Sequence, residues 1–108
     1  MALVRQGKTA TALAALEKAV NLAPDAARYA YVYGVALNST GQAEAGILAL
    51  AKAHELHPND RDILFALATI NRDMGRTTKA VNWAKKLVAL NPGDPGAQRL
   101  LQALGAAD

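Results

Sequence analysis

The stretch GQAEAGILALAKAHELHP, residues 41–58, decides the fold of this chain. Its apolar and small side chains recur at helical spacing, a glycine precedes them and a proline ends them. The same arrangement occurs 34 residues earlier as GKTATALAALEKAVNLAP and 34 residues later as GRTTKAVNWAKKLVALNP. Because a glycine and a proline both keep one period along the chain, the sequence predicts a repeat architecture.

Each period contains two helical segments, one before its glycine and one between the glycine and the proline. Asp60 and Asp94 stand where a helix N-cap is expected, and Pro95 takes the favourable first helical position. Because no stretch alternates like a strand, we expect an all-α fold. The predicted helices after the first repeat are Tyr29 to Ser39, Ala43 to Leu56, Ile63 to Met74, Thr78 to Leu90 and Pro95 to Leu104.

This 34-residue, two-helix unit with a closing proline resembles the tetratricopeptide repeat family over essentially the whole chain. The family's small residues, which let helices approach closely, are matched by Gly34 and Ala68 on the first helices and by Gly46 and Ala80 on the second. The resemblance implies an α-solenoid of stacked antiparallel helix pairs with a C-terminal capping helix. The family's aromatic positions on the first helices hold other residues here: Ala30, Leu37, Leu64 and Asn71.

The repeat register divides the single domain into four parts. We expect the chain to be the C-terminal fragment of a larger bacterial protein of this family, because a solenoid repeat relies on neighbours or a cap to cover its apolar face. In this register Met1 to Gln6 end a first helix, Gly7 terminates it and Thr9 to Leu22 form the second helix. The four parts are a partial repeat (1–26), two repeats (27–60 and 61–94) and the capping helix (95–108).

The composition restricts the kind of protein and the kinds of site. The 108 residues are 52% hydrophobic, contain no cysteine and carry a net charge of +3. Thiolate chemistry and disulfides are therefore excluded. No apolar run approaches a membrane-spanning length and no secretory signal is recognisable, so we expect no membrane partner. We expect a cytoplasmic location, or a periplasmic one if the parent protein is exported.

Few side chains suit catalysis or metal binding. His54 and His57 lie three residues apart near a helix end, but no third metal ligand is evident. The single serine, Ser39, lies in a turn without a partner base. We therefore expect a non-enzymatic protein without a metal or other cofactor.

The resemblance implies protein recognition, because the first helices of such repeats line a concave groove that holds a peptide or a helix. Tyr31 and Phe65 occupy equivalent positions one period apart, and aromatic and arginine side chains often anchor interfaces. We call the predicted surface the concave groove. Its residues are Arg28, Tyr31, Val35 and Asn38 from one repeat and Asp62, Phe65, Thr69 and Arg72 from the next.

Two alternatives remain open from the sequence. The helix Thr9 to Leu22 carries Leu13, Leu16 and Val20 at helical spacing, which suits self-association as a homodimer. Weak nucleic-acid binding is the other alternative, because the basic excess lies in residues 61–108. Its candidate residues are Lys79, Trp83 and Lys86 on one helical face, with Arg76 and Lys85 nearby. We favour a solvated lysine face over this alternative and expect no nucleic-acid partner.

Overall fold

A computed structural model describes residues 2–105, with side chains described from Lys8 onward. The described chain is a series of helices without strands, and it forms an elongated body of 46 × 31 × 19 Å. None of these helices is long and apolar enough to cross a membrane. The helices are α1 (Ala2–Leu22), α2 (Ala27–Ser39), α3 (Ala43–Leu56), α4 (Arg61–Asp73), α5 (Thr77–Leu90) and α6 (Pro95–Ala103).

Turn residues set the ends of these helices. Gly41 and Gly75 follow α2 and α4 with φ values of 86° and 78°, a backbone conformation that glycine adopts without a side-chain clash. The Asp60 carboxylate accepts a hydrogen bond from the Ile63 N–H at 3.1 Å and thereby caps α4. Gly41 and Gly75 therefore turn the chain within the pairs α2–α3 and α4–α5, and Asp60 fixes the start of α4.

The predicted helix end at Gly7 is wrong. Helix α1 runs without interruption from Ala2 to Leu22, through Gly7 and Lys8. Each residue added to an existing helix gains one hydrogen bond, whereas a turn must be stabilised by packing of the chain on both sides. A glycine inside a helix costs only about 1 kcal/mol relative to alanine, so Gly7 by itself does not end α1. Met1 lies outside the described residues, as do Ala106, Ala107 and Asp108 of the predicted capping segment.

The pairs α2–α3 and α4–α5 pack with small residues at their crossings. A Cβ atom built on Gly46 would lie 2.7 Å from the Gly34 carbonyl oxygen, so the two backbones nearly touch. The equivalent crossing of α4 and α5 has Ala68 and Ala80, both completely buried. Close approach of the paired helices therefore depends on the small residues that recur at equivalent positions of the two repeats.

The apolar core consists of two clusters joined by α4. The first, in which Leu50, Ile63 and Leu67 are completely buried, lies among α2, α3 and α4. The second contains Leu64 and Leu87 and is covered by Leu100 of α6. Helix α4 contributes to both clusters and packs on α2, α3 and α5. It is therefore the central element of the fold.

Candidate protein-binding groove

The two aromatic residues predicted for the concave groove have the same environment in successive repeats. Tyr31 on α2 is half-buried against the first core cluster, and Phe65 on α4 is half-buried against the second. Each ring thus contributes to the core with one part and remains accessible with the other. Aromatic rings anchored in this way provide contact area at little entropic cost on binding.

An arginine lies over each of these rings. The Arg28 guanidinium carbon is 5.4 Å from the centroid of Tyr31, and that of Arg61 is 5.2 Å from the centroid of Phe65. Both distances fall within the range of a cation–π interaction. Arg61 was missed by the sequence prediction, although its position four residues before Phe65 on a helix was an available signal. Each repeat therefore presents an arginine–aromatic pair near the start of its first helix.

Charged groups connect these pairs from one repeat to the next. The Arg28 side chain is 73% exposed and lies 4.0 Å from the Asp62 carboxylate, which Arg61 also approaches at 3.4 Å. Arg61 donates to the Asp94 carboxylate from Nε at 2.5 Å. The exposed Arg28 guanidinium keeps most of its donors available for a carboxylate from outside the chain.

The other four predicted groove residues differ in their accessibility. Val35 is half-buried and packs against the first core cluster, and Asn38 is half-buried near the end of α2. The Thr69 hydroxyl donates to the Ala66 carbonyl at 3.2 Å. The exposed Arg72 donates to its neighbour Asp73 at 3.1 Å. Among the eight residues, the structure thus brings Arg28 into contact with Tyr31 and Asp62.

Asp94 connects this surface to the start of α6. Its carboxylate accepts from the backbone N–H groups of Gly96 and Ala97, at 3.0 and 3.3 Å, and only 10% of the side chain is exposed. The hydrogen bond from Arg61, supported by these N–H groups, lowers the pKa of Asp94 from its ordinary value of 3.8. The same contact raises the pKa of Arg61.

This lowered pKa predicts an acid-sensitive contribution to stability. A carboxyl group with a lower pKa in the folded than in the unfolded chain stabilises the fold above the unfolded pKa and ceases to do so as the pH falls through the folded pKa. We expect the difference in unfolding free energy between the wild type and Asp94→Asn to be constant from about pH 7 to pH 5 and to vanish toward pH 2. Urea titrations of both proteins across this range measure it; a difference independent of pH would contradict the role of the Arg61–Asp94 ion pair.

The two histidines have different neighbours. The ring of His54 makes an edge contact with Trp83, 5.1 Å between centroids, while His57 Nε2 lies 3.2 Å from the Pro24 carbonyl oxygen. Burial, assisted by Lys86, lowers the pKa of His54. Among the residues with described side chains, no three potential metal ligands cluster. His54 therefore connects α3 to α5, and His57 connects the end of α3 to the loop between α1 and α2.

The basic face considered for nucleic acid surrounds a pocket of about 560 Å³. Lys79, Lys85 and Trp83 line it, and Lys86 Nζ lies 5.0 Å from the Trp83 ring centroid. Arg76 instead pairs with Glu44 of α3. Because Lys86 and His54 already contact the indole, less of its face is accessible for stacking on a base.

Two family models described as tetratricopeptide repeat match the chain, one at residues 1–61 and the other at residues 37–104. No match was found among curated protein sequences. Three solved structures that each align with 96% of this chain are similar in fold. The Yersinia enterocolitica type III secretion chaperone SycD, in complex with a peptide of the translocator YopD, has a TM-score of 0.79 at 15% identity, with 85% of that chain covered.

The other two structures have a TM-score of 0.73. They are PcrH in complex with the chaperone binding region of PopD (21% identity, 78% of that chain covered) and MamA from MSR-1 (22% identity, 60% covered). At these identities the structural likeness concerns the fold alone, which agrees with the stacked helical pairs described above. The two sequence models each match more than half of the chain. The chain therefore belongs to the tetratricopeptide repeat family.

Proposed function

We propose that this chain is a non-enzymatic protein-interaction module that binds a peptide or a helix of a partner in the concave groove. The observation that carries the proposal is the repeated arginine–aromatic pair, Arg28 with Tyr31 and Arg61 with Phe65. Aromatic and arginine side chains are enriched among the residues that contribute most to binding at protein interfaces. SycD and PcrH support the proposal, since their structures contain a peptide or a binding region of another protein.

The groove suits a segment with both apolar and acidic side chains. Apolar side chains would cover the accessible parts of the Tyr31 and Phe65 rings. An acidic side chain would meet Arg28, whose guanidinium is exposed and only loosely paired with Asp62. Arg61 is already bound to Asp94 and would act mainly by holding the Phe65 ring in position.

A selection of peptides tests the proposal without knowledge of the partner. A random peptide library displayed on phage is panned against the immobilised chain, and the dissociation constant of a selected peptide is measured by fluorescence anisotropy. We expect Tyr31→Ala/Phe65→Ala to weaken binding by at least about 100-fold, because two anchor residues are lost. Arg28→Ala, which removes an exposed side chain and leaves the core intact, should weaken it by about tenfold.

Tyr29→Ala is the matched control for this experiment. Tyr29 is an aromatic residue of the same helix, is 45% exposed and is not part of the predicted groove. We expect its removal to leave peptide binding unchanged. Circular dichroism verifies that each variant is folded. Wild-type affinity in a folded Tyr31→Ala/Phe65→Ala protein would place the peptide site elsewhere and contradict the proposal.

Self-association through Thr9–Leu22 is a second candidate function. In α1, Leu13 and Leu16 are only half-buried, and Leu22 at its end is 75% exposed. Exposed apolar side chains at helical spacing are typical of helices that pair with a second copy. Molar mass measured by light scattering over a range of concentrations tests this prediction independently of peptide binding.

A further inference from the structure

Trp83 lies in the groove between α3 and α5 in the last repeat and lines one side of the pocket of about 560 Å³. Its ring contacts His54 of α3 and is covered by Lys86 of α5. The side chain packs against both core clusters. Trp83 thus occupies part of the space between the successive second helices α3 and α5.

One period earlier, the corresponding space is an open cavity of about 360 Å³. Ala49 stands there in the position of Trp83, since the two are 34 residues apart. Ala30 and Ala53, which also line the cavity, stand in the positions of Leu64 and Leu87. We call this space the α1–α3 cavity. Three alanines stand here in the positions of a tryptophan and two leucines.

Other residues that line the α1–α3 cavity stand in the same repeat positions as residues that surround Trp83. Lys52 is the equivalent of Lys86, and Val20 is the equivalent of His54. At the rim, Leu48 and Leu56 are 71% and 59% exposed, although they are large apolar residues. Exposed apolar side chains around a concave apolar site are typical of a binding site.

We propose that the α1–α3 cavity binds a tryptophan side chain of a protein partner, in the manner in which the last repeat holds its own Trp83. In the bound state Lys52 lies over the indole face, as Lys86 lies over Trp83, and tryptophan is the strongest aromatic partner for such a cation. Leu48 and Leu56 then cover the ring from the rim. None of the eight concave-groove residues lines this cavity, so the site is additional to the proposed peptide groove.

Polar groups at the cavity favour tryptophan over an aliphatic or phenylalanine side chain. A buried indole N–H requires an acceptor. The Glu17 carboxylate lines the cavity, and it accepts a hydrogen bond from the Tyr33 hydroxyl at 3.4 Å while retaining further acceptor capacity. Phenylalanine and leucine cannot use this acceptor, and leucine also lacks the ring face that would interact with Lys52.

N-Acetyl-L-tryptophanamide is a suitable probe, because it resembles a tryptophan within a chain. In NMR titrations of the ¹⁵N-labelled protein, we expect it to shift the amide signals of Ala49, Lys52 and Ala53 with a millimolar dissociation constant. N-Acetyl-L-leucinamide should bind at least about fivefold more weakly, since it lacks the cation–π contact and the indole N–H. Shifts confined to Tyr31 and Phe65, or equal binding of the two probes, would overturn the proposal.

Ala49→Trp tests the equivalence with Trp83 directly. The introduced indole should fill the cavity, raise the melting temperature and abolish probe binding, while leaving the affinity of a groove-bound peptide unchanged. Ala89→Trp places the same side chain at an exposed position of α5 and is the control, with probe binding expected to persist. Undiminished probe binding to a folded Ala49→Trp protein would overturn the proposal.

Two further measurements do not depend on the folding of that variant. Glu17→Ala and Lys52→Ala remove the acceptor and the cation at exposed residues without adding volume, and we expect each to weaken probe binding several-fold. Unchanged binding in both would overturn the proposal. Free L-tryptophan, which carries charged groups that a residue within a chain lacks, should bind no more tightly than the blocked amide. Tighter binding would indicate a site for a small molecule and would also overturn it.

Discussion

Leu67→Ala is expected to lower the free energy of unfolding by about 2–5 kcal/mol. Leu67 is completely buried on α4, the helix that packs on α2, α3 and α5. Removing its isobutyl group leaves a cavity that the surrounding helices fill only partly. Because a domain of this size is stable by only about 5–15 kcal/mol, a large share of the total would be lost.

Leu48→Ala is the control for Leu67→Ala. It removes the same atoms from a side chain that is 71% exposed, so we expect little change in stability. Urea unfolding followed by circular dichroism measures both variants. A Leu67→Ala protein as stable as Leu48→Ala would show that α4 is not the centre of the core.

Gly46→Ala is expected to destabilise the chain by about 1–3 kcal/mol, although alanine normally favours a helix over glycine by about 1 kcal/mol. The added methyl group would lie 2.7 Å from the Gly34 carbonyl oxygen and 3.3 Å from the Asn38 backbone nitrogen. Backbone atoms cannot move aside as a side chain can. Helices α2 and α3 must therefore separate, which loosens the packing around Leu50.

The appropriate control makes the same change where there is space. A Cβ atom on Gly93 would meet only the Asn91 side-chain oxygen, at 3.7 Å, so Gly93→Ala should leave the melting temperature nearly unchanged. Thermal unfolding of both proteins by circular dichroism provides the comparison. If Gly46→Ala were as stable as Gly93→Ala, the close crossing of α2 and α3 would be contradicted.

The all-α repeat fold could be predicted because its signals are local and recur. Glycine, proline and aspartate determine where helices begin and end through their own backbone preferences, independently of the partner helix. The helix Ala43–Leu56 is found with the predicted bounds, and α5 begins one residue before its predicted start. The ends of α2 and α4 likewise lie within two residues of those predicted.

The prediction at Gly7 failed because glycine permits a helix to end but does not require it to end. Gly41 and Gly75 end helices whose turns bring a pair together, as in α2–α3 and α4–α5. Helix α1 continues through Gly7 to Leu22, because one glycine inside a helix costs only about 1 kcal/mol relative to alanine.

In the candidate sites, too, some features follow from the repeat register, whereas others depend on contacts between helices that are distant in the sequence. The positions of Tyr31 and Phe65 follow from the repeat register, whereas the ion pair of Arg61 with Asp94 depends on how α4 meets α6. The α1–α3 cavity depends on Ala30, Ala49 and Ala53 coming together from two helices. Comparison of equivalent positions one period apart is the sequence signal that was available for this cavity.

The central claim is that the concave groove binds a peptide of a partner, and NMR mapping of a selected peptide tests it most directly. The unlabelled peptide is titrated into the ¹⁵N-labelled protein, and the changes in amide signals are assigned to residues. We expect the largest changes at Arg28, Tyr31, Asp62 and Phe65, along the first turns of α2 and α4. Largest changes on α1 or α5, with these four residues unaffected, would contradict it.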